Sequence, residues 1–366
     1  MIGWFVATRI FILCAAHLGA ASMSGHARAR WSGISLSWLA RPSKGELGPS
    51  PAQLLEPLVR WDSLYYLYIA REGYPPREPP APKYEVAFFP LYPLLVRAVD
   101  RGFGDIFWSA VIVSNLSAFL AGLVFLRYAT AISSPSAGRR STLLLLASPG
   151  AHFLSLPYTE GLFVLLMVCG LLALERERPL TTGILAALAT ATRSAGIALT
   201  LLLVVSAWNR RADPRAFARR MIAAVGSLGG MGAFSLYCWR RYGDALAFVH
   251  IQHRWGRRMS LAGPWRAFFG FNVDPDYYLV TIGALALAVW MIRNMRARES
   301  LAAWLLLLLP LATGSLKSMI RFQSANPPLV AAAGTLPTAQ FRGLLIFSTL
   351  MMLLEVFLFS AGFPHY

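Results

Sequence analysis

Residues 180–207 read LTTGILAALATATRSAGIALTLLLVVSA, and this stretch decides how the chain is threaded. It is long and apolar enough for one membrane crossing, which needs about 20 mainly apolar residues for a core of about 30 Å. Yet the loops on both sides of it are basic, with Arg176 and Arg178 before it and the Arg210 to Arg220 run after it. A single crossing would put those loops on opposite faces, against the tendency of Lys and Arg to collect on the cytoplasmic side. Arg193-Ser194-Ala195-Gly196 offers a way out: a charge and a glycine divide the stretch into pieces of about 14 and 11 residues, too short to cross at 1.5 Å per residue. The spacing predicts a re-entrant pair of half-helices over 180–207, allowed at membrane depth only where other helices shield the break or it lines a wet cavity. Arg193 then lies deep inside the protein.

The rest of the chain fits that setting. Of 366 residues, 56% are hydrophobic and 14% charged, and the charges gather between long apolar runs, the profile of a membrane class. Candidate crossings lie near residues 3–22, 106–128, 141–156, 158–174, 221–239, 277–293, 300–316, 325–340 and 343–362. The first has small residues after it at Ala27 and Ala29, as a secretory signal would, but no basic n-region before its apolar run, and it reads as a retained helix. Cys14, Cys169 and Cys238 all fall in apolar segments without metal-ligand spacing. The net charge of +17 comes from arginines clustered at helix ends: Arg127, Arg139 and Arg140, Arg176 and Arg178, Arg210 to Arg220, and Arg293 to Arg298. That distribution reads as topology determinants and attraction to membrane lipids, and argues against nucleic acid as a partner.

The expected fold is all-α integral membrane, one polytopic domain over 1–366. Residues 23–105 form a first extracytoplasmic loop and 243–275 a second. The first part of the first loop is rich in Pro, Gly and Ser and reads as irregular. In the second part, residues 54–71, LLEPLVRWDSLYYLYIAR, have helical periodicity, with Leu55, Leu58, Val59, Asp62, Tyr65, Tyr66 and Ile69 on one face and Glu56, Arg60, Ser63 and Arg71 on another. This helix is expected to rest in the membrane interface. Asp62 is the carboxylate on the apolar stripe, which costs several kcal/mol if unpaired and marks a functional candidate, or a structural residue paired to Arg60 or a backbone amide. A second interfacial helix is expected in EVAFFPLYPLLVRAV, with Phe88, Phe89, Tyr92 and Val96 on one side.

Taken together, RWDSLYYLYIAREGY, EVAFFPLYPL, SPGAHFLSLPYTEGLFVLL, ALATATRSAGI and SMIRFQSANPPL resemble the PIG-V type of mannosyltransferase, a branch of the GT-C superfamily of multi-spanning glycosyltransferases. The resemblance implies a GT-C-like helix bundle, an active site on the outer face and a polyprenyl or dolichyl phosphate sugar donor. It also implies inverting transfer with an acidic residue in the first outer loop, here Asp62. The alanine- and arginine-heavy usage looks bacterial, which points to an inner (plasma) membrane and away from a GPI acceptor.

Such a transfer needs a base for the acceptor proton and cations for the leaving phosphate. Asp62 suits the first role. Arg193 and Arg321 suit the second, since guanidinium bonds phosphate bidentately and stays charged; an internal salt bridge from Arg193 to Glu160 and an ordinary end-of-helix Arg321 are the plainer alternatives. Tyr158, Glu160, Gln252, Trp61 and Glu85 are candidates for sugar or acceptor contacts, with Glu85 the reserve carboxylate, able to face Asp62. Glu160 in a first helical turn could equally just offset the helix dipole. His250 and His253 lack a third ligand, so no metal is assigned. No cofactor is implied, the lipid-phosphate sugar being a substrate and a glycolipid or glycan the acceptor. A transporter or lipid flippase is the alternative class, since intramembrane charge is natural there too. No internal repeat between the two halves supports it.

Overall fold

The computed structural model describes residues 1–22, 56–76, 84–270 and 273–363. The irregular stretch expected at the start of the first loop lies outside them. Among the described residues every regular element is helical. Helix α1 covers Ile2–Ser22 and packs along the last helix.

The helix expected over 54–71 begins later. Glu56–Leu58 is a single 3-10 turn around Pro57, and α2 runs Asp62–Glu72. Between them Trp61 takes φ 56°, a conformation that costs a bulky residue of order 1–3 kcal/mol and turns the chain sharply into the helix. Nor does α2 keep one face open: of its residues only Arg71 and Glu72 are exposed. It packs against α3 (Leu91–Phe103) and α4 (Ile106–Ile132), and Ser63, assigned to the outward face, is fully buried. Phe88, Phe89, Tyr92 and Val96 are all buried at the start of α3 and before it, as the periodicity of that segment required.

Helix α4 is 27 residues long, about 40 Å, and its first turn is capped by Asp105, which accepts from the Phe107 and Trp108 amides at 2.9 Å. The expected crossing at 141–156 is instead α5, Pro135–Ala147, stopped by Ser148-Pro149-Gly150 and a 3-10 turn at Ala151–Leu154. Helix α6 follows over Glu160–Glu175; at 16 residues it is shorter than the crossing expected of 158–174 needs.

Next come α7 (Pro179–Thr192) and α8 (Ile197–Trp208), parted at Arg193, whose backbone is extended. The two turn back on each other. Glu177 before α7 lies 3.8 Å from Arg210 after α8, and Arg220 bonds both Glu177 and Ser206. The turn needs Gly196, because a Cβ there would fall 2.5 Å from the Ala189 and Thr190 backbone. Helices α9 (Pro214–Gly226) and α10 (Gly229–Tyr242) make one long apolar run with a break between them, and α9 lies along both arms of the hairpin.

Short turns at 247–255 lead to α11 (Gly263–Phe269), then α12 (Pro275–Asn294) and α13 (Ala297–Leu311). The expected crossing at 300–316 is only the 15 residues of α13, ending just past Pro310. The crossing expected at 325–340 is absent: the chain forms α14 (Met319–Ser324) and α15 (Pro327–Ala333), separated where two prolines restart the helix and Asn326 bonds the Ala303 carbonyl. Helix α16, Thr338–Ser360, closes the bundle. Among the described residues five helical runs are long and apolar enough to cross a membrane: Ile2–Ser22, Ile106–Ile132, Pro214–Tyr242, Pro275–Asn294 and Thr338–Ser360. The protein is an integral membrane helix bundle.

Candidate active site

Four charged side chains from four parts of the sequence meet at the tip of the α7–α8 hairpin. Asp62 is the first residue of α2 and Glu160 the first of α6; Arg193 is the break itself, and Arg321 stands in the middle of α14. Each location has a backbone cause. Trp61 and Ser318, both at positive φ, turn the chain into α2 and α14. Gly150 lets α14 approach, since a Cβ there would sit 2.8 Å from the Ile320 carbonyl, and its own N–H donates to Ser324 Oγ at 2.8 Å.

Arg321 Nη1 donates to Asp62 Oδ2 at 2.6 Å, and its Nε lies 3.1 Å from Glu160 Oε1, an ion contact without hydrogen-bond alignment. Arg193 donates to the same Glu160 oxygen and to Thr159 Oγ1 at 3.3 Å. Glu160 is thus the carboxylate between two guanidinium groups that would otherwise repel. The Arg321 and Glu160 side chains are 7% and 1% exposed, while Asp62 and Arg193 keep 20% and 15%, so the cluster opens on the Asp62 and Arg193 side. Aromatic faces complete it: the Arg321 guanidinium lies 5.6, 5.5 and 5.3 Å from the Phe153, Tyr158 and Phe322 rings.

Sequence reasoning missed Arg257. Its guanidinium is 5.9 Å from the Phe322 ring, which Arg193 approaches to 5.0 Å, and its Nη2 donates to Ser318 Oγ at 3.0 Å. Three cations therefore surround one ring beside two carboxylates. The signal lay in the Arg257-Arg258 doublet, which the sequence reading did not single out.

Other candidates fall in two groups. Tyr158 and Glu160 were assigned to sugar contacts, but both are enclosed: Tyr158 donates its hydroxyl to the Arg60 carbonyl at 3.1 Å, and Glu160 is spent on the arginines. They hold the site and present no surface to a ligand. Trp61, Gln252 and Glu85 stay part-exposed around it. Trp255, in the same turn as Gln252, packs its ring 5.0 Å from Tyr84 and 6.4 Å from Phe88, so the 247–255 turns cover the aromatic side chains that pack on Tyr65 and Tyr66 of α2. Glu85 Oε2 is buried without a hydrogen-bond partner, yet Glu85 makes no ion pair with the cluster and does not join Asp62. His250 pairs with Asp244 at 2.8 Å, and His253 turns its Nδ1 to the His250 carbonyl.

The arrangement can hold a phosphate on arginine and accept a proton on a part-exposed carboxylate. Among known families, the sequence profile described as mannosyltransferase (PIG-V) matches residues 1–211. GPI mannosyltransferase 2 of Cryptococcus neoformans is 30% identical over 163 residues, 40% of this chain and 37% of that protein. GPI alpha-1,6-mannosyltransferase 2 of Rattus norvegicus is 30% identical over 172 residues, 42% of this chain and 34% of that one. The chain thus spans about a third of the length of the curated relatives it matches. Among solved structures, ArnT from Cupriavidus metallidurans bound to undecaprenyl phosphate superposes with a TM-score of 0.52 over 98% of this chain and 76% of that one, at 15% identity. That likeness speaks for a common GT-C fold alone.

Proposed function

The chain belongs to the PIG-V mannosyltransferase family, and from that premise we propose that it transfers mannose or a related sugar from a polyprenyl or dolichyl phosphate to a glycolipid or glycan hydroxyl. The transfer takes place on the non-cytoplasmic face of a bacterial inner membrane, with inversion at the anomeric carbon. The observation that carries the reading is the ion pair of Asp62 with Arg321 at the open side of a buried cluster.

In this mechanism the acceptor oxygen bonds the anomeric carbon as the bond from that carbon to the phosphate oxygen breaks. The acceptor proton passes to Asp62, and the polyprenyl phosphate leaves with the bonding electrons. Arg321 and Arg193 hold the departing phosphate. Asp62 and a donor phosphate draw on the same Arg321 guanidinium, so a phosphate held there loosens the carboxylate that takes the proton. The negative charge of Asp62 also favours the oxocarbenium-like transition state. Trp61, Gln252 and Glu85 are assigned to the sugar and acceptor, Glu160 and Tyr158 to positioning.

Purified protein, reconstituted with radiolabelled polyprenyl phosphate mannose and a membrane lipid extract, is expected to yield a labelled glycolipid or glycan, and Asp62→Asn protein none. Label that stays in the donor with every extract, or product formed equally by both proteins, overturns the reading.

A further inference from the structure

The connection between the candidate crossings Pro214–Tyr242 and Pro275–Asn294 is tied to the membrane surface at both ends. From Ala245 to Val273 it carries no acidic residue, and it holds Arg254, Arg257, Arg258 and Arg266. Past its buried Phe248 and Ile251, four large apolar side chains point outward: Met259, Leu261, Trp265 and Phe269 are all exposed, Leu261 completely. Single exposed apolar residues are ordinary, but a run of them on a short segment marks an interaction surface. Trp265 and Phe269, one turn apart on α11, pack ring against ring at a tilt of 37°, with centroids 4.3 Å apart.

Beside that pair lies a cavity of about 380 Å³, lined by Arg258, Arg266, Trp265, Phe269, Thr313 and Gly314 among others. Arg266 is aimed by Ser260 Oγ at 2.5 Å and by the Arg258 carbonyl at 3.2 Å. The cavity is fixed to the end of α13, because Gly263 sits where a Cβ would fall 2.1 Å from the Ala312 carbonyl oxygen. A second hollow of about 320 Å³ at the end of α10, lined by Tyr237, Arg240 and Arg241, repeats the combination of aromatic ring and paired arginines.

Exposed Trp and Phe beside arginine is the composition that suits the headgroup level of a bilayer, where the rings lie among acyl-chain ends and the cations meet phosphate. We propose that the cavity between Arg258 and Arg266 binds the phosphate of an anionic phospholipid headgroup, with Leu261, Trp265 and Phe269 inserted into the same leaflet. The charge of the loop and the tethering of both its ends select a lipid surface over a soluble protein. The docked segment also carries Trp255 to Tyr84 and Arg257 to Ser318, so the lipid steadies those contacts. The inference goes beyond the transfer reaction and does not depend on it.

The full chain in nanodiscs of phosphatidylcholine with a minor fraction of phosphatidylglycerol tests this, with retained lipid counted by native mass spectrometry. Arg258→Gln is expected to weaken phosphatidylglycerol retention about fivefold, and the double variant with Arg266→Gln about thirtyfold, as the usual strength of one arginine near an anionic surface implies. Brominated phosphatidylglycerol is expected to quench wild-type fluorescence more than that of Trp265→Phe protein. Arg258→Gln decides if the double variant unfolds, since Arg266 also holds the loop. Unchanged retention in Arg258→Gln, or quenching independent of Trp265, overturns the proposal.

Discussion

Helix α6 carries an ion network at each end, about 24 Å apart over its 16 residues, and the two are built from the same parts. At its start Asp62 and Glu160 meet Arg193 and Arg321; at its end Glu175 and Glu299 meet Arg296 and Arg298. The end network is well bonded, with Arg296 donating to both Glu175 oxygens at 2.9 and 3.1 Å, but Arg296 is 48% exposed against 7% for Arg321. Water can replace a lost partner at Glu175. At Glu160 it cannot, and there the aromatic rings leave one opening, beside Asp62 and Arg193. Two acids and two arginines therefore say little about function until their desolvation and their access are known.

The largest expected difference is in stability. Arg321→Gln takes a cation from the enclosed Glu160 and from the part-exposed Asp62 and should cost about 3–5 kcal/mol, whereas Arg298→Gln leaves Arg296 bonded to both Glu175 and Glu299 and should cost less, about 1 kcal/mol. Thermal unfolding of the two variants in one detergent measures the gap. Equal losses would erase the contrast between the two ends.

Asp62→Asn comes next. The amide keeps the size and loses both basicity and charge, so transfer should fall at least about 10²-fold, the usual cost of losing a general base. Insertion and folding should persist, because Arg321 keeps Glu160 as a counter-ion and the amide oxygen can still accept its hydrogen bond. Near-normal transfer by folded protein would move the chemistry elsewhere, with Glu85 the next residue to test.

Glu160→Gln is expected to act in the opposite direction on donor affinity. Glu160 competes with a phosphate for Arg193 and Arg321, so its removal should tighten polyprenyl phosphate binding by about tenfold, the worth of one charge-assisted hydrogen bond. Isothermal titration with the lipid phosphate reads this out. Weaker binding would mean that Glu160 orients the arginines more than it occupies them.

How much of this was legible beforehand follows from the range of each interaction. The break at Arg193 is local, a charge and a glycine inside an apolar run, and it could be read directly. So could Asp62, the one acid on an apolar stripe. The start of α2 could not, since periodicity over 54–71 ignores what Pro57 and a strained Trp61 do to the backbone. Hydropathy likewise ran α15 on past Gly334 and Pro337, and ran α5 past Pro149, because it sums composition without noting where a proline stops a helix. The enclosure of Tyr158 and Glu160, and the partnership of Asp62 with Arg321 259 residues away, depend on tertiary packing that no window of sequence contains.

The smallest expected effect is the most useful control. Glu177 pairs with Arg210 at 3.8 Å across the open ends of the hairpin, with both side chains more than half exposed. Exposed pairs of this kind contribute at most about 1 kcal/mol, and salt screens them over a Debye length of about 8 Å at physiological ionic strength. Arg210→Gln should therefore shift unfolding only slightly, the shift should vanish in high salt, and transfer should be unchanged. By the charge rule the basic loops around α7 and α8 belong on one side of the membrane. Cysteines placed at Thr181 and Asn209 should accordingly label from the same face, in wild-type background and in Arg210→Gln alike. Labelling from opposite faces would mean that α7 and α8 cross the membrane, and Arg193 would then lose its place beside a donor phosphate on the outer side.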